Sequence, residues 1–112
     1  MRAAALVAVA LLAAVPATAA AKWKPIFNGR NLDGWTPKIN HHPAGENWRD
    51  TFIVRNGVLR VDYSHYPSFK DEFGHLVYKE RLSSYRLRLE YRFTGPPPKG
   101  AEPWAWRNSG VM

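Results

Sequence analysis

Between positions 85 and 93 apolar and polar residues alternate without a break. Tyr85, Leu87, Leu89, Tyr91 and Phe93 share one parity, and Arg86, Arg88, Glu90 and Arg92 share the other. Successive side chains of an extended chain point to opposite faces, so the alternation predicts a half-buried β-strand. A helix would scatter the same apolar residues around its circumference. Two further apolar runs, 52–55 and 58–62, flank Asn56-Gly57. An Asn-Gly pair accepts the positive φ angles of a type I′ turn, so these runs predict a hairpin. Residues 75–78 predict another strand, and 24–27 a shorter one that Pro25 confines to an edge. Asn28-Gly29 and Asp33-Gly34 mark turns. The stretches 36–47 and 94–103, rich in Pro and Gly, read as loops, and long loops of all-β domains often carry function. No helix is predicted after the first twenty residues, and the expected fold class is all-β.

The first nineteen residues have a different pattern. Arg2 precedes an unbroken apolar run over 3–15, Pro16 ends it, and Ala17-Thr18-Ala19 offers a small-x-small cleavage site. This order is that of a secretory signal peptide. The run is shorter than the roughly 20 residues of a membrane-spanning helix. The expected division is therefore a signal peptide at 1–19 and a secreted or periplasmic domain at 20–112, with no membrane span after cleavage. The chain has no Cys, which excludes a disulfide scaffold, a thiolate metal site and a cysteine nucleophile. An exported chain without Cys fits a bacterial periplasm or exterior. Sixteen Lys and Arg against nine Asp and Glu give a net charge of +7. The cations are spread along the chain with no block of like charge, which argues against a nucleic-acid partner. The predicted strands do not close a sandwich, because each sheet of a sandwich needs a second to cover its inner face. The final segment, 107–112, stops as if inside a strand. The expectation is the N-terminal part of a larger β-sandwich, an incomplete fragment.

Four segments occur in the order of a known family. Phe27-Asn28-Gly29-Arg30-Asn31-Leu32-Asp33-Gly34-Trp35 resembles the opening F-[ND]-G-x-[ND]-L-x-G-W of the DUF1080 family, the 3-keto-disaccharide hydrolase domain. Asn56-Gly57-Val58-Leu59-Arg60-Val61, the alternating run from Tyr85 to Arg92, and Arg107-Asn108-Ser109-Gly110-Val111 follow it. The resemblance implies a concanavalin A-like (laminin-G-like) jelly-roll sandwich and a secreted hydrolase or lyase acting on 3-keto-glycosides, with carbohydrate as the partner. The family domain continues beyond the Asn-Ser-Gly segment, and this chain does not.

A 3-keto group acidifies the C2 proton of a sugar, because loss of that proton gives an enolate. The C1 substituent then leaves by β-elimination, and water adds back. This route needs a base and a stabiliser for the enolate oxygen. It differs from glycosidase chemistry with two carboxylates about an oxocarbenium-like centre. Within the resemblance, Glu90 stands on the polar face between Arg88 and Arg92, as a general base or a ligand-orienting carboxylate. The alternative for it is a solvated cross-strand ion pair. Asn108 and Ser109 offer an amide and a hydroxyl to sugar hydroxyls. Arg107 offers a donor fork for a carbonyl or enolate oxygen, or is a plain surface cation. His75 and Lys79 are further catalytic candidates as base and oxyanion donor, although alternation turns Tyr78 to the opposite face from both. Trp48, Trp104 and Trp106 are candidates for stacking on sugar rings, with core packing as the alternative; Trp35 reads as core. His41-His42 cannot both chelate one ion from extended chain, since adjacent side chains diverge. A divalent cation is conceivable as an electrophile, but no ligand spacing supports one, so the metal is unknown. Rival readings are a non-catalytic carbohydrate-binding module and a truncated inactive piece.

Overall fold

The computed structural model describes residues 22–112, so the expected signal peptide lies outside the described residues. Four strands form two antiparallel pairs. Strand β1 (Trp35–Ile39) pairs with β4 (Gly74–Tyr78), and β2 (Phe52–Arg55) pairs with β3 (Val58–Val61). Among the described residues the regular elements are these strands and two short 3₁₀ turns, at Trp48–Asp50 and Pro103–Ala105, which is an all-β pattern.

The β2–β3 hairpin forms where the Asn-Gly pair predicts it. Arg55 faces Val58, and Asn56 and Gly57 hold φ of 50° and 76°. Both values are positive, as a type I′ turn requires. The side chain of Asn47 extends the hairpin sideways. Its Oδ1 accepts from the Phe52 N–H at 3.0 Å and its Nδ2 donates to the Phe52 carbonyl at 2.8 Å.

Strand β1 overlaps the stretch 36–47 that reads as loop, from Thr36 to Ile39. Pro37 is what disguised it, and the register explains why a strand tolerates it. Asn40 N–H donates to the Phe73 carbonyl, and Lys79 N–H donates to the Gly34 carbonyl. Along an antiparallel ladder hydrogen-bonded and non-hydrogen-bonded pairs alternate. That puts Pro37, opposite Leu76, at a non-hydrogen-bonded position. Its missing N–H is not asked for by β4, and Pro is tolerated on that outer edge. Trp35, Pro37 and Ile39 then share the inward parity.

The core is small and aromatic. Ile39, Phe52, Tyr66 and Phe69 are its buried apolar residues, with Thr51 fully buried beside them. Phe69 meets Tyr63 and Phe73 edge to face, with centroids 5.5 and 4.9 Å apart. Such edge-on contacts place positive ring edges on negative faces. Gly74 lets the two sheets approach. A Cβ there would lie 2.6 Å from Ile39 Cδ1 and 3.3 Å from Phe52 Cζ.

Two predicted strands do not form among the described residues. Residues 24–27 make no ladder, and the Ile26 carbonyl accepts instead from the Trp35 indole at 2.8 Å. Residues 85–93 are also outside any sheet, and their apolar parity is open to solvent. Tyr85 is 55% exposed, Leu89 53% and Tyr91 72%. The alternation was written for a face that something covers, and no described segment covers it.

Candidate functional site

The opening motif builds a compact turn. Asn28 Oδ1 accepts from the N–H groups of Arg30 and Asn31, and Asn28 Nδ2 donates to Asn31 Oδ1 at 2.6 Å. Asn31 Oδ1 also accepts from the Asp33 N–H. Short amide side chains that bond their own backbone two or three residues on are natural turn formers. Gly29 and Gly34, with φ of 74° and 87°, supply the left-handed positions. The turn delivers Trp35 against Tyr78 with ring centroids 4.9 Å apart. Trp35 is half-buried there rather than at the core centre. This corner frames an open cavity of about 360 Å³, whose polar lining includes Lys24, Asn28, Asp33, Tyr78 and Lys79.

The sequence-predicted residues occupy separate places. His75 is exposed on β4, opposite Lys38, while Lys79 follows β4 at the mouth of the corner cavity. As the alternation required, His75 faces out and Tyr78 faces in. Glu90 is exposed on the unpaired segment and makes no hydrogen bond or ion pair among the described residues. On that segment Arg88 lies over the Trp23 ring at 5.3 Å, and 280 Å³ of mainly apolar groove separates residues 23–27 from 82–88. Trp104 lies within the 3₁₀ turn Pro103–Ala105 and Trp106 directly follows it, so strict strand alternation does not relate them. Trp104, 64% exposed, stacks on Phe73 with centroids 5.4 Å apart. Trp106, 49% exposed, carries the Arg107 guanidinium 5.2 Å above its ring. Asn108 Nδ2 donates to the Trp104 carbonyl at 3.2 Å, and Ser109 and Gly110 are exposed beyond it.

One well-built polar cluster was not singled out from the sequence. His42 Nε2 donates to Glu72 Oε1 at 3.0 Å, with both side chains about 15% exposed. The His42 ring stacks on Trp48 at 3.9 Å between centroids and 16° between planes. Trp48 is thus half-buried against a neighbour, its Nε1 enclosed without a partner, and Arg49 lies 5.1 Å from its ring centre. Beneath it, the Thr51 hydroxyl bonds both the Trp48 carbonyl and the Tyr66 hydroxyl. His41 turns away to Asn40 Nδ2, so the two adjacent histidines do part. The thirty-residue separation of His42 from Glu72 hid the pair, since no local spacing signals it.

Among the described residues, Tyr63, Tyr66 and Asp62 titrate away from their ordinary values. Burial pushes the Tyr63 phenol up, and the neighbouring Tyr66 adds to this. Burial also raises Tyr66, against the opposing pull of its bond to Thr51. The backbone N–H of Ser64, bonding to Asp62 at 2.9 Å, holds that carboxyl below its usual value, with the Ser64 side chain helping. Hydrogen bonds to the charged form favour it.

Among the described residues no group of three His, Asp or Glu side chains is placed to hold a metal ion, and no helix is long and apolar enough to cross a membrane. A family model for the 3-keto-alpha-glucoside-1,2-lyase-like domain matches residues 22–112, and the chain belongs to that family. Its membership assigns it to a carbohydrate-related class. No curated protein and no solved structure matches it.

Proposed function

We propose that this is an exported protein acting on 3-keto-glycosides, which cleaves the glycosidic bond by removing the C2 proton. The observation that carries the reading is the family match over residues 22–112. A 1,2-lyase acts by elimination across C1 and C2, and a 3-keto group is what makes the C2 proton removable. In the proposed reaction a base takes that proton and the C–H electron pair enters the enolate. The enolate re-forms the ketone, C1=C2 forms, and the C1–O bond breaks. The departing oxygen takes a proton and leaves as an alcohol. Water then adds its oxygen to C1 and a proton to C2, giving net hydrolysis with no oxidant consumed.

The wider architecture belongs to the same proposal. The bare apolar parity of residues 85–93 fits one strand of a concanavalin A-like jelly roll, with further strands of the domain covering it. Its other parity then presents Glu90 to the sugar as base or orienting carboxylate. Asn108, Ser109 and Arg107 supply polar contacts, with His75 and Lys79 as further proton-transfer candidates. The test is cleavage of a 3-keto-disaccharide by the full-length protein. Glu90→Gln is expected to slow it by roughly 10²-fold or more, and unchanged turnover would remove Glu90 from the site. The exposed indoles of Trp104 and Trp106 favour a second reading, a binding module without chemistry. That reading gains if the protein binds the sugar but never turns it over.

A further inference from the structure

The reaction proposed above needs a base held in a fixed orientation, and the His42 cluster is built as one. Four constraints act on this residue. Its N–H donates to the Ile39 carbonyl at 3.0 Å, and its own carbonyl accepts from the Lys38 ammonium. Its ring lies flat on Trp48, and its Nε2 is bound to Glu72. The loop bearing it is fastened further on, where Gly45 N–H donates to the Pro37 carbonyl. A carboxylate only accepts, so Nε2 carries a proton, and in the neutral ring Nδ1 then carries the lone pair. Nδ1 makes no hydrogen bond among the described residues and is not sealed in, unlike the Trp48 indole nitrogen.

We infer that His42 is the catalytic base, acting through Nδ1, that Glu72 is its positioning residue, and that Glu90 is then the orienting carboxylate of the two roles proposed for it. The inference rests on the proposed 3-keto-glycoside chemistry. Nδ1 takes the C2 proton, becoming imidazolium, and returns it to the departing glycosidic oxygen as the C1–O bond breaks. In the second half it takes a proton from water as the water oxygen bonds to C1, and delivers it to C2. The imidazole ends each half neutral. Glu72 stabilises the transient imidazolium and keeps the lone pair on the open nitrogen, the role of the carboxylate in a histidine–carboxylate dyad. Trp48 fixes the ring plane without taking either nitrogen.

The experiment combines kinetics on the full-length protein with ¹⁵N NMR of its histidines. On a 3-keto-disaccharide, His42→Ala is expected to lower kcat by about 10²–10⁴-fold, with partial rescue by added imidazole, which a merely structural histidine would not show. Glu72→Ala is expected to lower kcat by about 10–100-fold, by analogy with the loss of carboxylates that orient metal-ligating histidines. In the unaltered protein the neutral His42 ring should be the Nε2-protonated tautomer, and in Glu72→Ala that preference should weaken. If His42→Ala turns over within threefold of the parent, the inference falls and the wider reading stands. If the parent cleaves no 3-keto-glycoside, the wider reading falls with it. Should His42→Ala not fold, the tautomer decides: a proton on Nδ1 in the parent overturns the assignment, and one on Nε2 supports it.

Discussion

Adding one methyl group at Gly74 should destabilise this fold by a definite amount. In Gly74→Ala the new Cβ would meet Ile39 Cδ1 at 2.6 Å and Phe52 Cζ at 3.3 Å. Ile39 is fully buried and Phe52 nearly so, so neither side chain can swing into solvent. Overpacking a filled core costs about 1–3 kcal/mol. Against this, Ala restricts the unfolded chain and returns about 0.4–1 kcal/mol. The net loss is about 0–2.6 kcal/mol, and in a domain of this size each kcal/mol lowers Tm by several degrees. Ile39→Val removes the clashing Cδ1. Alone it should cost about 0.5–1.5 kcal/mol, yet placed beside Gly74→Ala it should recover stability. Thermal and urea unfolding of the parent, both single variants and the double variant measure the coupling. Additive losses would refute the proposed contact between β4 and the two buried residues.

The remaining expectations concern the core hydroxyls, the ends of the pH range and the indoles. Thr51→Val leaves the buried Tyr66 hydroxyl without its partner and should cost about 1–3 kcal/mol in urea unfolding. Tyr66→Phe leaves Thr51 its bond to the Trp48 carbonyl and should cost less, about 0.5–1.5 kcal/mol. Tyr63 and Tyr66 have raised folded values, so their contribution is complete below the ordinary phenol value of 10.0 and is lost as pH climbs through the raised ones. Asp62 has a lowered folded value, so its contribution is present above the ordinary 3.8 and is lost as pH falls through the lowered one. Urea midpoints across pH should therefore drop at both extremes, and Asp62→Asn should make the acid limb shallower. Trp106→Ala should weaken binding of a 3-keto-disaccharide in calorimetry by roughly tenfold, the share of one stacked aromatic. Unchanged affinity would remove that ring from the site.

Local signals carried part of the fold in full. Asn56-Gly57 specified the β2–β3 turn down to both positive φ values, because that turn chemistry resides in two adjacent residues. The strand at 75–78 was legible in the same way, and structure adds only Gly74. Strand β1 was not, since Pro37 reads as a breaker until the ladder shows its nitrogen facing away from β4. The alternation at 85–93 describes which face wants burial and says nothing about where its cover comes from. The family motifs were legible as a linear order, while the opening one turns out to be spent on a network of amide hydrogen bonds. The His42–Glu72 pair is a contact between distant positions, and such contacts emerge from topology alone.

The arginines of residues 85–93 have a consequence for solubility. Flat, apolar, unpaired strands invite stacking of identical copies into fibrils, where each side chain lies about 4.8 Å above its twin. Arg86, Arg88 and Arg92 would then form columns of like charge along the fibre axis, one for each residue. Repulsion within those columns opposes self-association of the segment, as gatekeeper residues do, without opposing a partner of different sequence.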